Sequence, residues 1–336
     1  MAKVLCFGEL LMRMSPVLGG EWIRSAKMPV YIGGAELNAA HALAKWNIPT
    51  SYFTALPNHY LSKEILEALN AKNIDSSLVI FSGNRIGSYY LPQGVDLKNA
   101  GVIYDRAHSS FAELKPGTID WDTILKDISW FHFSAICPAV TADAAAVCKE
   151  VLAAASAKGI TISVDLNYRS KLWQYGKKPL EIMPELLQYC NVVMGNLWAV
   201  DEMLGIASPI KESKGKSNSE LIDAAGESML KIHKTYPQVT DMAYTFRLEQ
   251  TYFGVLQHGA ERAISKEHRL GEIVDKVGSG DCFMAGLIYG LYKNNSTQDI
   301  IDFASVAAVS KLYEVGDATN RTEKEIRAFM NENVIA

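Results

Sequence analysis

A chain of 336 residues with 49% hydrophobic and 21% charged content has the composition of a folded globular protein with a substantial core. Its net charge of -4 offers no long-range attraction for a phosphate polymer, and no run of Lys or Arg interleaves with aromatics as a nucleic-acid groove requires. Every apolar run falls short of the roughly 20 residues that span a bilayer, so neither nucleic acid nor a membrane is expected as a partner.

The first apolar stretch, Val4 to Gly8, reads as a strand, because Glu9 and Arg13 interrupt it before a signal-peptide core can form. Residues 11–32 then break the rhythm with short strand-like pieces, after which Asn38 to Lys45 and Leu61 to Lys72 carry apolar residues at helical spacing. A second irregular stretch, residues 86–111, contains Ser88 to Leu91 and Gly101 to Tyr104 as short strands between Gly- and Pro-rich turns. Next come a strand at Ser129 to Ser134, a helix at Ala142 to Lys158 stopped by Gly159, and strands at Ile160 to Asp165 and Val192 to Met194. Pro209 to Ser219 is polar and reads as a surface loop, and Gly280 to Tyr292 as a late helix. Strands alternating with amphipathic helices imply an α/β class: a mostly parallel sheet covered on both faces, in one domain over residues 1–336. The two irregular segments, 11–32 and 86–111, form a small β-sheet lid over the strand ends, where ligands of open α/β sheets bind.

Five cysteines (Cys6, Cys137, Cys148, Cys190, Cys282) are scattered, odd in number and without a C-x-x-C pair, which favours reduced buried thiols and a cytoplasmic setting.

The strongest chemical signal is Asp275-Lys276-Val277-Gly278-Ser279-Gly280-Asp281, directly before the late helix. Glycines let several N–H groups converge on one point, and the helix adds its positive amino-terminal end, which together make an anion site. Asp281 at the same turn can accept a proton from an attacking hydroxyl. The bland alternative is a turn with Asp281 near a helix cap. A dinucleotide fingerprint fails here because Phe283 stands at its last glycine, and Gly215-Lys216-Ser217 is not a P-loop because Ile210 stands at its first. The second constellation is Gly33-Gly34-Ala35-Glu36-Leu37-Asn38, where a glycine pair allows close approach of a hydroxylated ligand and Asn38 offers a donor and an acceptor. Its alternative is an ordinary loop-to-helix cap with Glu36 facing solvent.

These two constellations, in this order and spacing, resemble the two signatures of the PfkB-type, ribokinase-like carbohydrate kinases, and the likeness runs over essentially the whole chain. It is nearest to their 2-keto-3-deoxygluconate kinases. The resemblance implies a three-layer α/β/α sandwich with a small β-sheet lid, transfer of the ATP γ-phosphoryl group to a terminal sugar hydroxyl, Asp281 as base, and phosphoryl contacts from Gly278, Ser279 and Gly280. It further implies sugar contacts from Gly33, Gly34, Asn38, Tyr89, Tyr104, Arg106, Arg169 and Asp317. Arg106 in Tyr104-Asp105-Arg106 and Arg169 in Asp165-Leu166-Asn167-Tyr168-Arg169 suit an acid sugar, because Arg binds a carboxylate by charge-assisted hydrogen bonds. Nucleotide contacts are implied for Asn196, Thr245, Arg247, Gly278, Gly280 and Ala308. Mg2+ would arrive with ATP, held through waters and not by a dedicated protein cage. A homodimer through the lid follows by analogy alone.

Two departures from the family pattern stand out. Asn196-Leu197-Trp198-Ala199 has Ala199 where relatives carry an acid, which leaves Asp201 or Glu202 as substitutes, and the segment after Arg247 lacks a usual glycine pair. The alternatives are a fructokinase or other sibling sugar kinase, and a non-catalytic sugar-binding relative. A nicotinamide oxidoreductase is disfavoured by Phe7-Gly8-Glu9-Leu10, which has no glycine-rich turn.

Overall fold

Side-chain alternation builds both faces of the central sheet. In the strand Lys3–Phe7, Leu5 and Phe7 enter one apolar cluster while Val4 and Cys6 enter the other, as a period of two demands. The strand Val192–Gly195 divides the same way, Val193 to the first cluster and Val192 and Met194 to the second. Such strands must be covered twice, which is why they read as nearly continuous apolar runs.

The computed structural model describes residues 2–93 and 101–332. Its main sheet runs, from one edge, Glu261–Ile264, Thr251–His258, Asp241–Arg247, Val192–Gly195, Thr161–Asp165, Ile128–Ser134, Lys3–Phe7, Thr50–Phe53 and Ile74–Asp75. Strands from Asp241–Arg247 onward pair in parallel, while Thr251–His258 and Glu261–Ile264 add an antiparallel edge. The helices Ala142–Ala157, Pro179–Leu187, Leu197–Leu204 and Asn218–Thr235 cover one face; Ala35–Lys45, Ser279–Tyr292 and Thr297–Lys311 cover the other. The three-layer α/β/α arrangement expected from the sequence is present. Ser279–Tyr292 packs against both Ala35–Lys45 and Thr297–Lys311, so the two signature segments meet although about 240 residues separate Asn38 from Asp281 in sequence.

A second sheet of four strands, Val30–Gly33, Leu11–Met14, Gly87–Tyr90 and Ile103–Asp105, corresponds to the anticipated lid. Residues 94–100 of its second segment lie outside the described residues. Leu11, Tyr89, Leu91 and Val102 form its apolar core, and Val277 from the glycine loop inserts among them. The anticipated loop at Pro209 to Ser219 ends earlier than its composition suggests: Ser217 and Glu220 form a capping box and Asn218 is already helical. The five cysteines are free and buried. Among the described residues no helix is long and apolar enough to cross a membrane.

Candidate active site

The turn into Ser279–Tyr292 is dictated by one close approach. Gly278 has φ 80°, and a Cβ there would stand 1.7 Å from the main-chain oxygen of Asp317, so only glycine permits both the backbone conformation and the contact. Ser279 Oγ donates to the Ala308 carbonyl at 2.9 Å, tying the first turn to the neighbouring helix. Asp281, in that turn, is half-buried, and its Oδ2 accepts a hydrogen bond from Asn38 Nδ2 at 2.7 Å. The sugar-type signature thus holds the carboxylate of the phosphate-type signature.

Loss of hydration is the largest influence on Asp281, reinforced by the like charges of Asp165 and Asp317; against the Asn38 hydrogen bond and the Arg169 charge, it pushes the carboxyl up to about 7. A carboxyl poised near neutrality matches the proton affinity that general-base chemistry favours at cellular pH.

Asp281 lies where two cavities meet. The larger, about 820 Å³, is lined by the Gly278–Gly280 loop, Lys276, Asp165, Asn196, Thr245 and Arg247 among others. A smaller one of about 60 Å³ is bounded by Glu9, Gly34, Asn38, Tyr89 and Arg106. Tyr104, Asn167, Arg169 and Asp281 belong to both walls. The Asp281 carboxylate and Arg169 therefore stand between a compact niche and a larger pocket, whose wall includes the glycine loop at the helix start.

Several sequence expectations change in detail. Gly34 (φ 131°) lines the smaller cavity, and its missing Cβ also makes room for the Glu9 carbonyl, at 2.3 Å, as that of Gly33 does for the Asp317 carboxylate, at 2.5 Å. Glu36 is not on a solvent face. It is buried, accepts from Ser134 N at 2.9 Å and Ser134 Oγ at 2.5 Å, and burial pushes its carboxyl up. Arg106 is engaged by Glu9, with Nε donating to Oε2 at 2.7 Å and Nη2 at 2.5 Å, both side chains buried; it reaches the niche as half of an ion pair, not as a lone cation. Asp317 is absent from either wall. Its oxygens take Arg13 Nε at 2.8 Å and the Tyr89 hydroxyl at 2.9 Å, so it supports the site from beneath. Ala308 is fully buried and acts through its carbonyl, and Gly33 likewise lines neither cavity. Asn196 lines the large pocket, but its Oδ1 caps the helix Leu197–Leu204 by accepting from Trp198 N and Ala199 N. Asp201 and Glu202, the candidate substitutes for the acid missing at Ala199, are exposed and line neither cavity.

Among the pocket and support residues that escaped the sequence reading as site residues are Glu9, Arg13, Asp165, Asn167 and Lys276. Glu9 and Arg13 carry a signal, a charge at inward-facing positions around a short apolar strand, which has no meaning until the lid is folded over them.

A family model described as pfkB family carbohydrate kinase matches residues 1–236 and 257–324. The chain belongs to the pfkB family of carbohydrate kinases. This kinase superposes on the crystal structure of 2-dehydro-3-deoxygluconokinase from Thermotoga maritima with a TM-score of 0.87, at 29% identity, covering 98% of this chain and 100% of that one. It is 31% identical to 2-dehydro-3-deoxygalactonokinase of Haloferax volcanii over 172 residues, which span 51% of this chain and about half (54%) of that protein. Against 2-dehydro-3-deoxygluconokinase of Bacillus subtilis the identity is 23% over 89% of this chain and 86% of the other. The ribokinase-like fold and the kinase class are thus common to this chain and its relatives.

Proposed function

We propose that this kinase transfers the γ-phosphoryl group of ATP to the terminal hydroxyl of 2-dehydro-3-deoxygluconate or a closely related acid sugar. The observation that carries the reading is Asp281 at the junction of the two cavities, held by Asn38. The sugar occupies the niche beneath the lid and the nucleotide the large pocket. The acceptor hydroxyl gives its proton to Asp281; its oxygen bonds to the γ-phosphorus as the bond to the β-phosphate oxygen breaks, and ADP leaves. Phosphoryl transfer depends chiefly on alignment and charge stabilisation, which the N–H groups around Gly278 to Gly280 supply at the start of a helix.

The residues present fit magnesium that travels with ATP. Asp165 is a hard oxygen donor in the pocket wall, and Mg2+ bound through phosphates and waters needs few protein ligands; among the described residues no cluster of three ligating side chains exists. Mg2+ would neutralise phosphate charge there. Thr245 and Arg247 border the nucleotide, with Lys276 near the phosphates.

Names of the relatives with broad coverage, and the Arg169 guanidinium between the cavities, favour an acid sugar. The Glu9–Arg106 pair favours a second reading, a neutral hexose acceptor, because it cancels one of the two cations at the niche. An ADP-release assay across 2-dehydro-3-deoxygluconate, its galactonate epimer, fructose and ribose decides between them. The acid sugars should give the higher kcat/KM; equal or greater turnover of the neutral sugars would replace the acid-sugar assignment, and absence of turnover on all four would remove the activity.

A further inference from the structure

Beneath the two cavities lies a charge cluster that touches neither. Arg13 is fully buried on the lid strand Leu11–Met14. Its Nη1 and Nη2 donate to Asp275 Oδ1 and Oδ2 at 3.2 and 2.7 Å, its Nε pairs with Asp317 Oδ1 at 2.8 Å, and its guanidinium stacks 4.5 Å from the centre of the Tyr31 ring. A forked, bidentate contact of this kind fixes orientation as well as charge.

Each carboxylate that Arg13 holds is itself built into the glycine loop. Asp275 Oδ1 accepts from Val277 N at 3.2 Å, two residues along its own chain. Asp317 presents its main-chain oxygen to Gly278 and its side chain to Gly33, so it is wedged between the two signature turns. Tyr89, from a third lid strand, donates to the same carboxylate. Val277 adds an apolar tie, packed with Leu11 and Tyr89 in the lid core.

We infer that Arg13 is a positioning residue for phosphoryl transfer: it locks the lid strands to the turn Asp275–Gly278 and so sets where the amides of the loop and Asp281 stand relative to a sugar held beneath the lid. The inference rests on the reading of Asp281 and the glycine loop as the transfer centre. A shift of about 1 Å in such a centre, caused from outside it, costs roughly 100-fold in rate.

Arg13 also balances charge behind the base. Asp281 faces Asn38, Asp165, Arg169 and Asp317, with the buried Glu36 and Tyr89 also within electrostatic reach, and Asp317 raises its proton affinity. Around Arg13 stand Asp275, Asp317, Tyr31 and Tyr89; the buried Lys311, which donates to the Glu314 carbonyl at 3.3 Å, interacts electrostatically with the same two carboxylates. Removing the Arg13 charge leaves Asp317 less neutralised and moves Asp281 toward a higher pKa; removing the Asp317 charge does the reverse.

The test compares wild type, Arg13→Lys, Arg13→Met and Asp317→Asn with ATP, Mg2+ and the best acceptor of the sugar panel, with Asp281→Asn as a control. Arg13→Lys keeps the charge and loses the fork: kcat should fall about 10- to 100-fold while both KM values stay within about threefold, and the acid limb of the pH–rate profile should not move. Arg13→Met should lose at least as much and move that limb upward. Asp317→Asn, the variant that answers if the Arg13 variants do not fold, should lower kcat and move the limb downward. Folded variants with kcat within about twofold of wild type, or unmoved limbs in both Arg13→Met and Asp317→Asn, would overturn the inference. Wild-type turnover together with an active Asp281→Asn would instead break the assignment of the base, leaving the Arg13 result to be read separately.

Discussion

The two halves of the site are built on opposite principles. On the sugar side, charges are satisfied by the protein itself: Arg106 by Glu9, Arg13 by Asp275 and Asp317, Glu36 by Ser134. In the larger pocket, the proposed nucleotide side, the wall combines the glycine loop and apolar residues such as Trp198, Phe246 and Tyr252 with the partly exposed Arg169, Arg247 and Lys276. Buried charges with fixed partners resist rearrangement, because displacing one strands the other in a medium of low polarity. The niche beneath the lid is therefore framed by charges already bound to fixed partners, whereas the wall of the large pocket turns partly exposed charges toward a ligand.

Substitutions at matched positions break or sharpen this contrast. The largest effect belongs to the junction: Asp281→Asn should lower kcat by about 10²- to 10⁴-fold with little change in sugar binding, measured by single-turnover kinetics and calorimetric titration of the sugar. Next, Arg106→Met leaves Glu9 buried without its partner and should destabilise the fold by about 3–5 kcal/mol in urea denaturation, so its kinetic defect should not be confined to acid sugars. Arg247→Met, its counterpart in the nucleotide half, should leave stability within about 1 kcal/mol and raise the KM for ATP several-fold. Equal destabilisation by both would erase the distinction.

A third effect comes from pH. Because Asp281 must be unprotonated to accept a proton and its carboxyl is pushed up to about 7, kcat/KM should fall about tenfold per unit below that value; a profile flat down to pH 5 would show that Asp281 is not the base. The smallest effect is on stability. The folded state holds the Asp281 proton more tightly than the unfolded chain does, so this group favours folding at low pH and loses that contribution as pH rises through about 7. Asp281→Asn, neutral throughout, should therefore raise the thermal midpoint at pH 8 by roughly a few degrees and change it little at pH 4. Such a gain on removing a reactive group is the usual exchange of stability for activity.

Much of this was legible from local pattern. Apolar runs rich in β-branched residues located Lys3–Phe7, Ile128–Ser134, Thr161–Asp165 and Val192–Gly195 within about a residue, and Gly159, with φ 68°, ends its helix where expected. The glycine loop and Asp281 were legible because a backbone that must turn and approach another segment closely tolerates only glycine. The purpose of those glycines was not. Gly33, Gly34 and Gly278 admit Asp317, the Glu9 carbonyl and the Asp317 carbonyl, contacts across 25 to 284 residues of chain that no window of sequence contains.

By itself the sequence determined the layered α/β class, the order of strands and helices, and two chemically marked turns, since each depends on neighbours a few residues apart. Only the tertiary structure decided which charges are spent inside the protein and which face a ligand. Arg13, Arg106, Asp317 and Glu36 look alike in one dimension, and their roles are set by partners that folding brings within hydrogen-bonding reach.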